Sequence, residues 1–133
     1  MKYMVLMAAN KQGWDDMSSW SQDDMQTMFQ FMEDLNAEMT KNGEMLQGIG
    51  LAGPGAMKTV QTKGDGEPII TDGPFPETKE VLAGYWILDV ASEERVLELA
   101  TRISLSPGKN GEPSNTPVEV HAIPDQDIDP LKL

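Results

Sequence analysis

The chain is 133 residues long, carries 22 acidic against 10 basic side chains for a formal charge of −12, and contains no cysteine. That length fits one domain, near the ~100–150-residue mode, and is enough to bury a core without covalent staples. The charge works against phosphate backbones and anionic lipid as partners, so no nucleic acid and no membrane partner is expected; the missing cysteine excludes a disulfide framework, a thiolate zinc site and a cysteine nucleophile.

Tyr3 to Ala8 is a short apolar run without helical period and predicts a buried strand. The run is too short for a signal peptide, and no stretch approaches the ~20 apolar residues that span a bilayer, so a cytoplasmic location is expected. Gly13 to Ser21, with Trp14 and Trp20, reads as a polar loop. Ser21 then caps a first helix with Asp24 in its first turn, and Met25, Met28, Phe29, Met32, Leu35 and Met39 recur at helical spacing up to a stop at Gly43. The ten methionines read as flexible core filler. Met45 to Leu51 predicts a second strand, and the runs 58–62 and 69–71 around Gly64-Asp65-Gly66 predict a hairpin. Ala83 to Val90 is a further strand. Ser92 caps a second helix with Val96, Leu99, Ala100 and Ile103 on one face, a Gly/Pro/Asn loop covers 106–117, and Val118 to Ile123 is the last strand.

The order β-α-β, hairpin, β-α-β predicts an α+β fold, a ferredoxin-like βαββαβ sandwich with an extra β-hairpin and both helices on one sheet face. Residues 1–124 form the domain and 125–133 an acidic C-terminal tail. If the second sheet face is apolar it needs a cover, and another copy of the chain is the simplest one, so a homodimer is expected.

Gly48-Ile49-Gly50-Leu51-Ala52-Gly53 matches G-x-G-x-x-G, but Pro54 and Gly55 follow where a nucleotide site needs a helix N-terminus. Asp125, Asp127 and Asp129 lack the glycine and closing glutamate of a calcium loop. His121 is the sole histidine, so no multi-histidine metal site forms within one chain. No cofactor or metal is therefore expected. Strand alternation sets Glu119 and His121 against Val118, Val120 and Ala122, and ferredoxin-like order brings Tyr3 and Tyr85 to the face of His121, a grouping suited to acid–base work or to a dimer interface. Asp72-Gly73-Pro74-Phe75 is turn chemistry, with Glu77-Thr78-Lys79-Glu80 crowding charge beside it.

These last residues carry a family resemblance. With Met1-Lys2-Tyr3-Met4, Gly84-Tyr85 and Val118-Glu119-Val120, the run from Thr71 through Glu80 resembles the DGPF branch of the YCII-related domain family over nearly the whole chain. The resemblance implies a ferredoxin-like fold that pairs into a dimeric α/β barrel. It implies no activity: DGPF-type proteins are largely uncharacterised, and some are encoded beside sigma factors. Some smaller relatives have a first-helix histidine and an aspartate after the second helix, proposed as an acid–base pair. Here Met32 and Ser106-Pro107 stand near those places. The expectation is a small-molecule-binding or acid–base domain with a polar pocket near Asp72. Asp72 would be base or acceptor, His121 and Tyr85 proton carriers, and Lys79 an anion or carbonyl partner. The alternative is a non-catalytic regulatory module that offers its acidic surface to a protein partner.

Overall fold

A computed structural model describes residues 1–73 and 80–125; Phe75 and Lys79 within 74–79, and the tail from 126, lie outside the described residues. The elements run β1 (Lys2–Ala9), α1 (Lys11–Ser18), α2 (Gln22–Lys41), β2 (Met45–Gly50), β3 (Lys58–Thr62), β4 (Pro68–Asp72), β5 (Val81–Asp89), α3 (Glu93–Ser104) and β6 (Val118–Ala122). Four strands form an antiparallel sheet in the order β2-β5-β1-β6, and β3 pairs only with β4 as a separate hairpin. The first strand lies between the third and fourth strands of the main sheet, the order of a ferredoxin-like α+β fold.

Register assigns the two faces. Val5 stands across Trp86 on one side and Val120 on the other, and Tyr3 across Leu88 and Ala122. Tyr3, Val5, Trp86 and Leu88 are buried against Leu35 and Met39 of α2 and Val96, Leu99 and Ile103 of α3. Each such apolar side chain contributes about 1.5–3 kcal/mol by leaving water. The opposite face carries Met4, Leu6, Tyr85 and Ile87, half-buried, with Glu119 and His121 exposed at the β6 edge. Tyr3 therefore does not share a face with His121. It is Met4 that stands across His121, and the period-2 alternation turns Tyr3 to the helices.

The helices start where their caps place them. Ser21 Oγ accepts from the Asp24 amide at 3.0 Å while the Asp24 carboxylate accepts from the Ser21 amide at 3.1 Å, a reciprocal capping box. Gly43, at φ +72°, ends the turn after α2 in the left-handed region that glycine enters without strain. Ser92 Oγ accepts from the Arg95 amide at 3.2 Å at the start of α3. Where the sequence predicts a loop over 13–21, the chain forms α1. Asn10 supplies the missing cap, its side chain accepting from the Gly13 amide at 3.0 Å, and Trp14 and Met17, one turn apart, give the short helix its apolar side.

One charged pair fastens α3 to the start of β2. Glu44, 8% exposed, accepts from Arg95 Nε at 2.8 Å and Nη2 at 3.0 Å. Those bonds hold its carboxyl below the usual glutamate range, although burial opposes the charge. Arg102 pairs with Glu38 from α3 to α2 and lowers that carboxyl likewise. The β3–β4 hairpin contrasts with this core: Val60 and Ile70 face one another across it at 63% and 61% exposure.

Candidate functional site

One corner of the helix-facing sheet surface is bare. Gly84 stands across Met7 and Gly50, and Gly48 across Trp86. Two of these glycines are dictated by packing: a Cβ at Gly84 would lie 2.9 Å from the Ile49 carbonyl oxygen, and one at Gly48 would lie 3.1 Å from Trp86 Cδ1. Gly50 is different, because a Cβ there would meet nothing within 4 Å. Three glycines on one face remove the side chains that would otherwise fill the space beneath α1 and the first half of α2. The result is an apolar cavity of about 350 Å³.

Its walls are Met7, Met17, Met25, Met28 and Met32, with the rings of Trp14, Phe29 and Trp86. The methionines read from sequence as core filler thus divide: Met39 is fully buried in the core, while these five face the cavity. The apolar stripe of α2 divides with them. Leu35 and Met39 in its second half are buried, whereas Phe29 in the first half is 58% exposed.

Few polar atoms enter this lining. Trp86 Nε1 donates to Asn36 Oδ1 at 2.9 Å. An indole nitrogen only donates, so the Asn36 oxygen must face it and the amide NH₂ is left as a donor. Trp14 Nε1 is buried and has no hydrogen-bond partner. The Trp14 ring lies over Gly53, where a Cβ would stand 3.4 Å from Cζ3. The G-x-G-x-x-G run is therefore not a phosphate cradle. A three-residue turn over Pro54–Ala56 follows it, and its glycines give the cavity a bare floor and the indole a flat seat.

The residues named from sequence fall elsewhere. Asp72 ends β4, its side chain 84% exposed and ion-paired with Lys58 across the hairpin. The Gly73 amide donates to the Met57 carbonyl at 2.8 Å, with Gly73 at φ +69°. Tyr85 and His121 share the open sheet face, and Tyr85 Oη lies 3.5 Å from Gln47 Oε1 and His121 Nε2 lies 3.9 Å from Glu119. β1 runs between their strands, which sets their backbones roughly 10 Å or more apart. Asp72 is not among the residues lining the methionine cavity, and Lys79 lies outside the described residues. No three His, Asp or Glu side chains converge as a metal set among the described residues.

The YCII-related domain model matches residues 1–118. The chain belongs to the YCII-related domain family. An uncharacterized protein of Rhizobium meliloti (strain 1021) is 34% identical over 112 residues, which cover 80% of this chain and 81% of that protein. In this YCII-related domain, Met32 lines the cavity. Ser106 is 4% exposed, with its hydroxyl 3.3 Å from Ser114 Oγ. No helix among the described residues is long and apolar enough to cross a membrane.

Proposed function

We propose that this YCII-related domain is a small-molecule-binding protein whose ligand lies in the methionine-walled cavity between the sheet and the first two helices. The observation that carries the reading is the cavity: about 350 Å³, walled by thioethers and aromatic rings, with only a few polar atoms. Small-molecule sites take this form, roughly 300–1,000 Å³ of mainly apolar wall with a few directing polar groups. Unbranched methionines suit such a wall, because their flexible side chains re-pack around different shapes. The Asp72-Gly73-Pro74-Phe75 run supports placing the chain in the DGPF branch. The apolar Met4, Leu6 and Ile87 on the open face support a homodimer formed through the sheet, which Leu6→Glu is expected to convert to monomer in light scattering. The cysteine-free composition fits a cytoplasmic setting.

The test is thermal unfolding against a panel of small apolar and amphipathic metabolites, for the wild-type chain and for Gly50→Val, which sets a branched side chain on the cavity floor. A ligand at ~100 times its dissociation constant adds about 2.7 kcal/mol. That raises the midpoint of a domain this size by roughly 5–12 °C. A shift in wild type that Gly50→Val abolishes is the expected result. A shift that survives the substitution, or no shift across the panel, overturns the proposal.

A second reading assigns acid–base chemistry to Asp72, Lys79, Tyr85 and His121. It is favoured by the common face of Tyr85 and His121, which a second copy would enclose together with its own pair. Any turnover found for the protein would then fall steeply in Asp72→Asn and His121→Ala, and unchanged turnover in both would remove the reading.

A further inference from the structure

The β3–β4 hairpin stands apart from the domain that carries it. It leaves the sheet where β2 ends and returns where β5 begins, and β3 pairs with no strand but β4. Among the described residues, every hydrogen bond and ion pair made by 58–72 is internal to the hairpin. A two-stranded hairpin alone in water is marginal, and an uncovered apolar strand invites pairing with another chain. This one has an apolar centre: Val60 stands across Ile70, with Pro68 two residues along on the same face, all three exposed. Lys58 and Asp72, the only charged residues of the two strands, neutralise each other.

A matching recess lies at the root of the hairpin. Leu51, Ala52, Ala56, Met57, Val81 and Leu82 line an apolar groove of about 330 Å³ with no charged side chain in its wall. The hairpin does not fill its own groove, because an extended strand carries Val60 about 10 Å beyond Met57. An uncovered apolar face and an uncovered apolar groove on one chain, too far apart to meet within it, can meet between two copies. We propose that the hairpin is an arm received by a second copy of the chain: Val60 and Ile70 of each protomer seat in the groove of the other, an isologous exchange about a two-fold axis. Charge points to the same occupant. Each copy carries a formal charge of −12, so two copies come together only through surfaces free of uncompensated charge, as arm and groove both are. A basic protein partner would instead be drawn to the acidic surface and away from this neutral face. The inference rests on the chain forming a homodimer and adds a surface that holds it; it does not depend on the ligand cavity.

The experiment is sedimentation equilibrium of the full chain, with far-UV circular dichroism confirming that each variant is folded. The double substitution Val60→Asp/Ile70→Asp charges the arm. Ala56→Glu, at an exposed position that is not among the residues lining the methionine cavity, obstructs the groove. Each variant is expected to weaken the dimer by about 100-fold or more, since a symmetric pair loses the contact twice. A mixture separates exchange from a local effect. The arm variant keeps a sound groove and the groove variant keeps sound arms, so an equimolar mixture re-forms one contact and associates at concentrations where each variant alone is monomeric. Dimerisation unchanged by either variant, or a mixture no more associated than its components, overturns the exchange; if Leu6→Glu still dissociates that dimer, the sheet contact stands alone. A monomeric wild-type chain overturns the arm and the homodimer together and leaves the ligand cavity as it was.

Discussion

Gly50→Val tests the architecture of the site through stability alone. Gly50 sits in β2 across from Gly84, and a Cβ built there has no neighbour within 4 Å. Its backbone lies outside the left-handed region, so a branched residue adopts the same conformation without strain. Two favourable contributions then add. A glycine inside a strand costs roughly 0.5–1 kcal/mol relative to alanine through the freedom it loses on folding. A valine side chain on this exposed, open floor is only partly removed from water and contributes at most about 1 kcal/mol, below the range for full burial. The sum is about 1–2 kcal/mol of added stability, a rise of roughly 3–8 °C in the midpoint for a domain between the small and large size classes. Thermal unfolding followed by circular dichroism reads the shift, and urea unfolding with an unchanged slope shows that stability itself has moved. Gly50→Ala should gain about half as much. A midpoint that stays the same or falls, in a folded variant, would refute the placement of Gly50 on the cavity floor.

The neighbouring glycine should behave in the opposite way: Gly84→Ala drives a Cβ to 2.9 Å from the Ile49 carbonyl oxygen, so β2 and β5 must separate at a loss of about 1–3 kcal/mol, read by the same unfolding assay. Glu44→Gln removes the more buried of the two carboxylates paired with Arg95, leaving the exposed Glu98, and should lose about 1–2 kcal/mol. The pH profile follows from the same pair. Because the folded carboxyl titrates below the ordinary value of 4.5, the stability it contributes is complete above about pH 4.5 and is lost as the pH falls through the lowered value. Urea unfolding from pH 6 down to pH 3 should show that acid limb in the wild-type chain and a flatter one in Glu44→Gln. Ser21→Ala removes one half of the α2 capping box and should lower stability by about 1 kcal/mol, with Ser21→Thr retaining most of it.

Element order and helix starts were legible because local chemistry sets them. Ser21 and Ser92 cap helices wherever those helices pack, and the 96, 99, 100 and 103 spacing names one buried face without reference to the sheet. What was missed depends on partners. α1 is two turns of mainly polar residues around a glycine, so its helical state rests on the Asn10 cap and on an anchorage for Trp14 that no local pattern announces. Alternation within a strand does not fix which parity of β1 faces the helices, so the sequence alone cannot separate Tyr3 from His121, and only the pairing of Met4 with His121 decides it. The stripe from Met25 to Met39 carries one period throughout but meets the core only along its second half. A sequence signal for the cavity does exist. Gly48 and Gly50 are two residues apart in a strand, so the pair marks one bare face, and Gly84 extends it on the neighbouring strand.

The domain is therefore stabilised unequally at its two ends. Beside Glu44 and Arg95 the helices are fastened to the sheet by a charged pair and fully buried aliphatic side chains. Beside Gly50 the same sheet lacks side chains, and α1 holds an indole donor out of water without a partner, a loss of roughly 1–3 kcal/mol. Nothing in the backbone requires the bare position, since Gly50 has room for a side chain. A residue retained at a position where a simple replacement would stabilise the fold points to a requirement other than folding. Gly50→Val should thus raise the unfolding midpoint while it diminishes binding, because its branched side chain occupies part of the cavity floor. If the substitution lowered stability, Gly50 would have a sufficient structural reason to be there, and the case for a ligand site at this end of the sheet would weaken accordingly.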